Sequence, residues 1–209
     1  MTVPAGAPRD MTEQLVARSV RLPKGPLRIL QPEETAELPD DGAVEWAPVS
    51  PYWSVLWRSG VALAREVDRM PLKGRRVVEL GCGLGLPSIA AARAGAIALA
   101  TDGCAEALDL VARNAELNDV DVETAVVDWA DPEELVDRGP FDIVFASDVL
   151  YERQSVARLL SLLPRIAPEA WITDPGREAS AVFFDHAWER WDVEALRDGV
   201  ITLHRVRFA

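Results

Sequence analysis

Short apolar runs alternate with helical stretches along most of this chain, and this alternation limits the possible folds more than any other feature. Strands are predicted at 76–80, 97–101, 122–127, 142–147 and 169–173, and near 192–196 and 201–208. Helices are predicted at 86–94, 104–117, 131–137, 153–163 and 177–189, the fourth of them ending before Pro164. Consecutive βαβ units build a mostly parallel sheet that helices cover on both faces. The pattern therefore predicts an α/β fold that binds ligands at the carboxyl ends of its strands.

The first 50 residues have a different pattern and are interpreted as an N-terminal arm. Eight of the fifteen prolines lie within residues 1–51, a density that prevents long helices. A short strand is predicted at 27–30, and the segment up to about residue 20 is predicted to be a short helix or disordered. A helix over about 52–69 follows, since apolar or small residues recur there at helical spacing. We expect the arm, residues 1–50, to serve as a lid or brace for one domain spanning 51–209.

The strongest local signal is the segment 77–85, which reads VVELGCGLG. An apolar strand runs into Gly81, Gly83 and Gly85 and then into a helix, and glycines let a backbone turn sharply and approach a ligand closely. A dinucleotide fingerprint needs its third glycine at position 86, which is Leu86, and does not require an acid at Glu79. Both departures argue against NAD or FAD.

Acidic residues also end the next two strands. Asp102 lies 21 positions after Gly81, the distance at which an acid reaches a ribose diol in this architecture. It can also cap the following helix, and the two roles can coexist. Asp128 and Trp129 close the third strand, where a carboxylate can accept a hydrogen bond from an exocyclic amine while an indole covers an adenine face. Three such strand ends in succession outline a nucleoside.

These motifs, together with the segment SDVLY at 147–151, resemble class I S-adenosylmethionine-dependent methyltransferases from about Pro51 to Arg177. Pro51-Tyr52-Trp53 with Trp57, and the segment DPGR at 174–177, resemble the lysine methyltransferase group typified by the electron-transfer-flavoprotein β-subunit methyltransferase. The resemblance implies a Rossmann-like, doubly wound, seven-stranded sheet whose last strand is antiparallel. It also implies that S-adenosylmethionine, which yields S-adenosylhomocysteine, lies over the glycine loop.

The same resemblance implies roles for individual residues. Glu79 faces the methionine amine, Asp102 the ribose hydroxyls, and Asp128 with Trp129 the adenine. The implied cofactor residues are Trp57, Glu79, Gly81, Gly83, Gly85, Asp102, Asp128, Trp129 and Ser147.

Asp148 and Tyr151 follow the fourth strand, where the resemblance implies that the methyl group is presented, and are the candidate catalytic residues. We expect Asp148 to attract an incoming ammonium, while Tyr52 and Trp53 form an aromatic wall that favours a cation. The alternative is that Asp148 caps a helix near Glu152 and Tyr151 packs on the sheet.

Asp174 and Arg177 complete the candidate substrate site, with Arg177 reaching an acidic group on the substrate. They are equally compatible with a turn that starts the next helix, with Asp174 as its cap.

Composition excludes several other classes of function. The 34 acidic and 22 basic residues leave a net charge of −12, which disfavours nucleic acid as a partner. His186 and His204 are the only histidines, and no Cys/His cluster has metal-ligand spacing, so no metal site is expected. No apolar run approaches the roughly 20 residues of a membrane span. The first residues contain no apolar stretch of the length expected for a signal peptide, and two cysteines cannot form a disulfide scaffold, so a cytoplasmic location is expected.

The preferred hypothesis is an enzyme that transfers a methyl group from S-adenosylmethionine to a nitrogen nucleophile, with a lysine of a protein as the preferred acceptor. Two alternatives stay open: a small-molecule N- or O-methyltransferase, and a cofactor-binding interaction protein without catalytic activity.

Overall fold

A seven-stranded mixed sheet forms the centre of the protein in the computed structural model, which describes residues 14–33 and 52–208. An N-terminal hairpin of β1 (Leu15–Val20) and β2 (Leu27–Pro32) lies outside this sheet. The sheet strands are β3 (Arg76–Leu80), β4 (Ile97–Asp102), β5 (Glu123–Val126), β6 (Ile143–Ser147), β7 (Glu169–Asp174), β8 (Asp192–Asp198) and β9 (Ile201–Arg207). Their order is β5-β4-β3-β6-β7-β9-β8. The helices are α1 (Arg58–Arg69), α2 (Leu86–Arg93), α3 (Ala105–Leu117), α4 (Glu133–Arg138), α5 (Arg153–Ile166) and α6 (Glu178–Arg190).

The topology confirms the predicted doubly wound α/β fold with an antiparallel last strand. Strands β3 to β7 pair in parallel, whereas β9 is antiparallel to both of its neighbours, β7 and β8. The chain runs outwards from β3 to β4 and β5 and then returns to the other side of β3 as β6. This reversal makes the carboxyl ends of β3 and β6 the switch point, where sheets of this kind bind ligands.

Apolar side chains on both faces of the sheet form the core. One cluster includes Phe183 on α6 and the inner face of α5, and the other includes Phe145 on β6 and packs against α1, α2 and the hairpin. Four of the five residues of β3 are buried, as expected for a parallel strand covered on both faces. A strand buried in this way fixes the position of the loop that follows it.

Three predicted elements were wrong in detail. The segment up to about residue 20 contains strand β1, because pairing with β2 supplies partners for backbone groups that no local pattern reveals. Residues 1–13 lie outside the described ranges. The helix predicted over 52–69 is a 3₁₀ turn (Tyr52–Ser54) followed by α1 from Arg58, since Trp57 has extended backbone. Helix α5 continues through Pro164 to Ile166, because a proline in the last turn disturbs few of the helix hydrogen bonds.

The hairpin is the described part of the predicted arm, and the strand predicted at 27–30 lies within β2. Its β2 edge lies along α3, and its turn is bonded to α1 and α2. The remainder of the arm and Pro51 lie outside the described residues, so its role as a lid or brace stays a prediction. None of the helices within 14–33 and 52–208 combines the length and apolar character that crossing a bilayer requires.

Candidate active site

The loop between β3 and α2 has a backbone that only glycine adopts easily. Gly81, Gly83 and Gly85 have φ angles of 62°, 50° and 74°, all in the left-handed region. A Cβ on Gly83 would lie 2.8 Å from the carbonyl oxygen of Trp53, and one on Gly85 would lie 2.8 Å from the Val111 side chain. We call residues 81–85 the glycine loop. Its shape requires the glycine spacing that the sequence shows.

Glu79, at the end of β3, is a buried acid that Ser88 holds through one of its two oxygens. Its Oε2 accepts hydrogen bonds from the Ser88 backbone N–H (2.8 Å) and the Ser88 hydroxyl (2.5 Å). Its Oε1 is buried and has no partner among the described residues. Burial is the main cause that raises the pKa of Glu79 to about 8. A buried carboxyl oxygen without a partner, next to a glycine loop, fits the α-ammonium of S-adenosylmethionine.

Asp102, at the end of β4, joins the glycine loop to the start of α3. Its carboxylate accepts from the N–H of Gly83 (3.0 Å) and from the N–H of Cys104 (3.0 Å). Burial raises its pKa above the ordinary value for aspartate. Each carboxylate oxygen has a second lone pair, so ribose hydroxyls can bind without breaking these two bonds.

Trp129 lies over the glycine loop, whereas the neighbouring Asp128 faces solvent. The indole atoms Cζ2 and Cη2 are 3.5 Å from the position that a Cβ on Gly81 would occupy. Asp128 accepts from the N–H of Ala130 at 2.8 Å, and its side chain is 71% exposed. The structure thus brings the indole, rather than this carboxylate, against the loop that would hold the cofactor.

Asp148, directly after β6, forms a two-bond ion pair with Arg177. The Nε and Nη2 atoms of Arg177 donate to the two carboxylate oxygens of Asp148 at 2.5 and 2.9 Å. The Asp148 side chain is 8% exposed, and its backbone has a left-handed φ of 56°. Such a conformation is uncommon for a residue other than glycine and occurs often at functional sites. Ser147 precedes it, with its hydroxyl 3.6 Å from the position of a Cβ on Gly60 of α1.

Asp174, at the end of β7, shapes the loop that carries Arg177. One carboxylate oxygen accepts from the N–H groups of Gly176 (2.6 Å) and Arg177 (3.0 Å) and from the hydroxyl of Ser180 (2.7 Å). The other oxygen is buried and has no partner among the described residues. Burial is the first cause that raises the pKa of Asp174, and the nearby charge of Asp148 adds to it. Asp174 therefore organises the turn before α6, and this turn aims Arg177 at Asp148.

The aromatic candidates lie at the entrance to these strand ends. The backbone of Trp53 contacts the glycine loop, and the indole N–H of Trp57 donates to the carbonyl of Tyr52 at 3.1 Å. Tyr52 and Tyr151 are both 57% exposed. Partial burial and, after it, the negative charges of Glu152, Asp102 and Asp148 raise the pKa of Tyr151.

Sequence reasoning missed two residues that position site groups. Ser88 holds Glu79 by hydrogen bonds. The only sign of this role in the sequence is that Ser88 is a polar residue among the apolar residues of the helix LPSIAAAR. Asn114 donates to the carbonyl of Leu84 in the glycine loop at 3.2 Å, across a separation of 30 residues that no local pattern reveals.

The fold and the strand-end site define a class I S-adenosylmethionine-dependent methyltransferase. Among solved structures, the chain is similar to the T. thermophilus 16S rRNA N2 G1207 methyltransferase in complex with AdoMet and guanosine. The match has a TM-score of 0.67 at 15% identity and covers 96% of this chain and 52% of that one. At this identity the similarity concerns the fold alone.

Residues 52–184 match the family model described as lysine methyltransferase, and the chain belongs to that family. It is 31% identical to the electron transfer flavoprotein beta subunit lysine methyltransferase of Danio rerio, over 85% of this chain and 68% of that protein. It is also 31% identical to protein N-lysine methyltransferase METTL21A of Danio rerio, over 54% of this chain and 55% of that protein.

For METTL21A and for a second flavoprotein β-subunit lysine methyltransferase, that of Xenopus laevis, the match spans only about half of the relative's length. Other relatives of similar identity are named histone-arginine methyltransferases, so similarity by itself leaves the accepting residue open.

Proposed function

We propose that this chain transfers a methyl group from S-adenosylmethionine to the side-chain nitrogen of a lysine in a protein substrate. The transfer is an in-line displacement: the lysine nitrogen forms a bond to the methyl carbon, the carbon–sulfur bond breaks, and S-adenosylhomocysteine leaves. Such a step mainly requires nucleophile and methyl to be held at about 3–3.5 Å. The residues that would hold the cofactor are Glu79, Asp102, Trp129 and the glycine loop.

The charge of the site supports a cationic acceptor. Asp148 and Asp174 are close enough for the charge of one to raise the pKa of the other, and Arg177 is the cation bonded to Asp148. The three groups together carry one more formal negative than positive charge. The phenol of Tyr151 adds a neutral aromatic group, because a tyrosine is protonated at neutral pH even at its ordinary pKa, and the pKa of Tyr151 is raised. An ammonium is attracted to such a site.

The geometry of the Asp148–Arg177 pair is the observation that carries the choice of lysine. Arg177 already donates to both oxygens of Asp148 in the forked arrangement that a guanidinium prefers. An arginine acceptor would compete for the same fork. A lysine ammonium is a compact donor that needs only single lone pairs, and each oxygen of Asp148 has a second lone pair besides the one that Arg177 uses.

The same pair eases deprotonation of the acceptor. A lysine must lose a proton before it attacks, at a cost of about 4.6 kcal/mol at pH 7 from its reference pKa. An unpaired carboxylate would stabilise the ammonium and raise this cost. Because Arg177 partly neutralises Asp148, the carboxylate orients the amine without holding its proton tightly.

Transfer of labelled methyl into a hypomethylated lysate tests this function. We expect the label in a protein band, with modified lysine after digestion. Asp148→Asn is expected to lower turnover at least tenfold while the Kd for S-adenosylhomocysteine changes less than twofold. Label confined to small molecules would contradict the protein acceptor. Tight cofactor binding without any label would indicate a non-catalytic protein.

The role of Arg177 is tested with paired peptides. Arg177→Ala is expected to lower the preference for a lysine peptide over its arginine counterpart, because the fork on Asp148 is then open to an acceptor guanidinium. An unchanged preference would contradict the argument from the fork. Arg153→Ala is a matched control, since this arginine lies 3.7 Å from Glu178 and both side chains are more than four-fifths exposed.

We further propose that the substrate is met in the cytoplasm and that nucleic acid is not the acceptor. Both cysteines are free thiols, Cys82 buried and Cys104 partly exposed, as suits a reducing compartment. The net charge of −12 opposes binding to a phosphate backbone. Label in the RNA fraction of the lysate would contradict this second point.

We also propose that residues 1–50 brace the domain formed by 51–209. The hairpin supports a bracing role, because it is hydrogen-bonded to three helices of the domain.

A further inference from the structure

Asn114 is a buried side chain that connects two distant segments of the chain. It lies within α3 and is 0% exposed. Its Oδ1 accepts from the N–H of Leu30 at 2.7 Å, and its Nδ2 donates to the carbonyl of Leu30 at 3.3 Å. The same Nδ2 donates to the carbonyl of Leu84 at 3.2 Å. One amide thus joins strand β2 of the N-terminal hairpin to the glycine loop.

Asn118, one turn further along the chain, makes the same pair of hydrogen bonds with the hairpin. The second N–H of its side-chain amide, however, does not donate to the glycine loop. Its Oδ1 accepts from the N–H of Arg28 at 2.8 Å, and its Nδ2 donates to the Arg28 carbonyl at 2.7 Å. Its other bond goes to the carbonyl of Asn114, at 2.7 Å. The two amides therefore pair alternate residues of β2, much as another strand would. The bond to the glycine loop distinguishes Asn114 from Asn118.

The hairpin is firmly attached at its other end, so it can serve as a fixed support. The N–H of Lys24 donates to Asp68 of α1 at 2.6 Å, and Arg93 of α2 donates to the carbonyl of Gly25 at 3.0 Å. Arg93 also pairs with Asp68 at 2.7 Å, and the Asp68 side chain is 0% exposed. A buried ion pair thus fixes the turn, while Asn114 and Asn118 fix the strand.

The glycine loop needs such a support, because glycine loses more backbone entropy on ordering than any other residue. Helix α3 packs against the loop, with Val111 next to Gly85, and Asn114 donates a hydrogen bond to the carbonyl of Leu84. The bond of the Gly85 N–H to the carbonyl of Cys82, at 2.8 Å, lies within the loop and depends on its folded shape.

We propose that Asn114 is a positioning residue that couples the docked hairpin to the glycine loop and thereby sets the affinity for the cofactor. The inference rests on the proposed function only in taking this loop as the binding site for S-adenosylmethionine. Its structural part, that Asn114 orders the loop, holds for the chain without any ligand.

The test compares two pairs of variants by calorimetric binding of S-adenosylhomocysteine. Asn114→Ala is expected to raise the Kd about 5- to 10-fold, the effect of losing the one buried hydrogen bond that reaches the loop at Leu84, and Asn118→Ala less than twofold. Leu30→Pro removes the N–H that donates to Asn114 and is expected to raise the Kd two- to fivefold. Arg28→Pro removes the N–H that donates to Asn118 and is expected to change the Kd less than twofold.

Hydrogen exchange at the Gly85 amide, measured without cofactor, is the second readout. We expect exchange to be at least fivefold faster in Asn114→Ala than in Asn118→Ala, at a temperature where both variants are folded. A uniform loss of stability would accelerate exchange throughout the chain and would not single out the loop.

An unchanged Kd in Asn114→Ala, or an equal rise in Asn118→Ala, would overturn the proposal. If Asn114→Ala does not fold, the Leu30→Pro and Arg28→Pro pair decides, and equal values in the two would refute the coupling. If the unmodified chain binds no S-adenosylhomocysteine, the proposed function fails, and exchange at Gly85 still decides whether Asn114 orders the loop.

Discussion

Cofactor binding by this chain should depend on pH through Glu79. This carboxyl is buried at the end of β3, one of its oxygens has no partner in the described part of the chain, and its pKa is raised to about 8. At pH 7 it is therefore mostly protonated in the free protein. To pair with the α-ammonium of the cofactor it must become a carboxylate, so binding releases a proton.

The size of the effect follows from the pKa. With a value of about 8, roughly nine-tenths of Glu79 is protonated at pH 7, and removing the proton costs about 1.4 kcal/mol. Affinity should then rise about tenfold between pH 6 and pH 7, with release of about 0.9 proton at pH 7. The rise should level off near pH 8.

Calorimetric titration with S-adenosylhomocysteine from pH 5.5 to 7.5 measures both quantities. This range lies below the ordinary α-amino pKa of about 7.7–8.0, so most of the ligand keeps its charge. Two buffers of different ionisation enthalpy report the protons released. Glu79→Gln keeps the shape of the side chain but cannot titrate, and should remove both the slope and the proton release. A Kd that is constant over this range, or a slope that persists in Glu79→Gln, would refute the reasoning.

Three further predictions concern stability. Gly83→Ala should lower the free energy of unfolding by about 1–3 kcal/mol and prevent cofactor binding, because its Cβ would lie 2.8 Å from the Trp53 carbonyl at a φ of 50°. Gly199→Ala has a similar φ of 61° but open space around its Cβ, so it controls for backbone strain. Thermal denaturation compares the two variants, and equal losses of stability would contradict the predicted clash. The raised pKa of Glu79 favours its protonated form in the folded state. Its contribution to the free energy of unfolding is therefore complete below pH 4.5 and falls by about 5 kcal/mol as the pH rises to about 8. Urea unfolding should show this loss in the wild type and not in Glu79→Gln. The contribution of His204 to the free energy of unfolding depends on pH in the opposite direction. Burial lowers the pKa of His204 from 6.5 to about 4. Its contribution is therefore complete above pH 6.5 and falls by about 3 kcal/mol as the pH drops to 4. His204→Leu should lose that acid dependence, and equal slopes in variant and wild type would contradict the assignment.

The strands and helices of the sheet were predictable because their signals are local. Buried runs such as β3 and β6, and the glycine spacing after β3, are visible within a few residues of sequence. Asp102 and Trp129 were recognisable as site candidates because they directly follow strands. Parallel strands carry such residues to one edge, so their meeting at the glycine loop follows from the topology alone.

Contacts between distant segments were not predictable in this way. Strand β1 forms because β2 pairs with it, although its own residues also suit a helix or a disordered segment. Asp148 was expected to present a carboxylate to the substrate, and the structure adds the fork of Arg177, which lies 29 residues away. A side chain's neighbours across such distances depend on how helices and loops pack.

Order along the chain was thus enough to establish the α/β fold, the family resemblance and the edge of the sheet that carries the site. These properties depend on hydrophobic periodicity and backbone freedom, which act over a few residues. Partners, charge states and supports came from packing: the unpaired oxygen of Glu79, the ion pair of Asp148 and the bridge of Asn114. They depend on the exclusion of water and on contacts between segments far apart in sequence, and both arise only when the whole chain is folded.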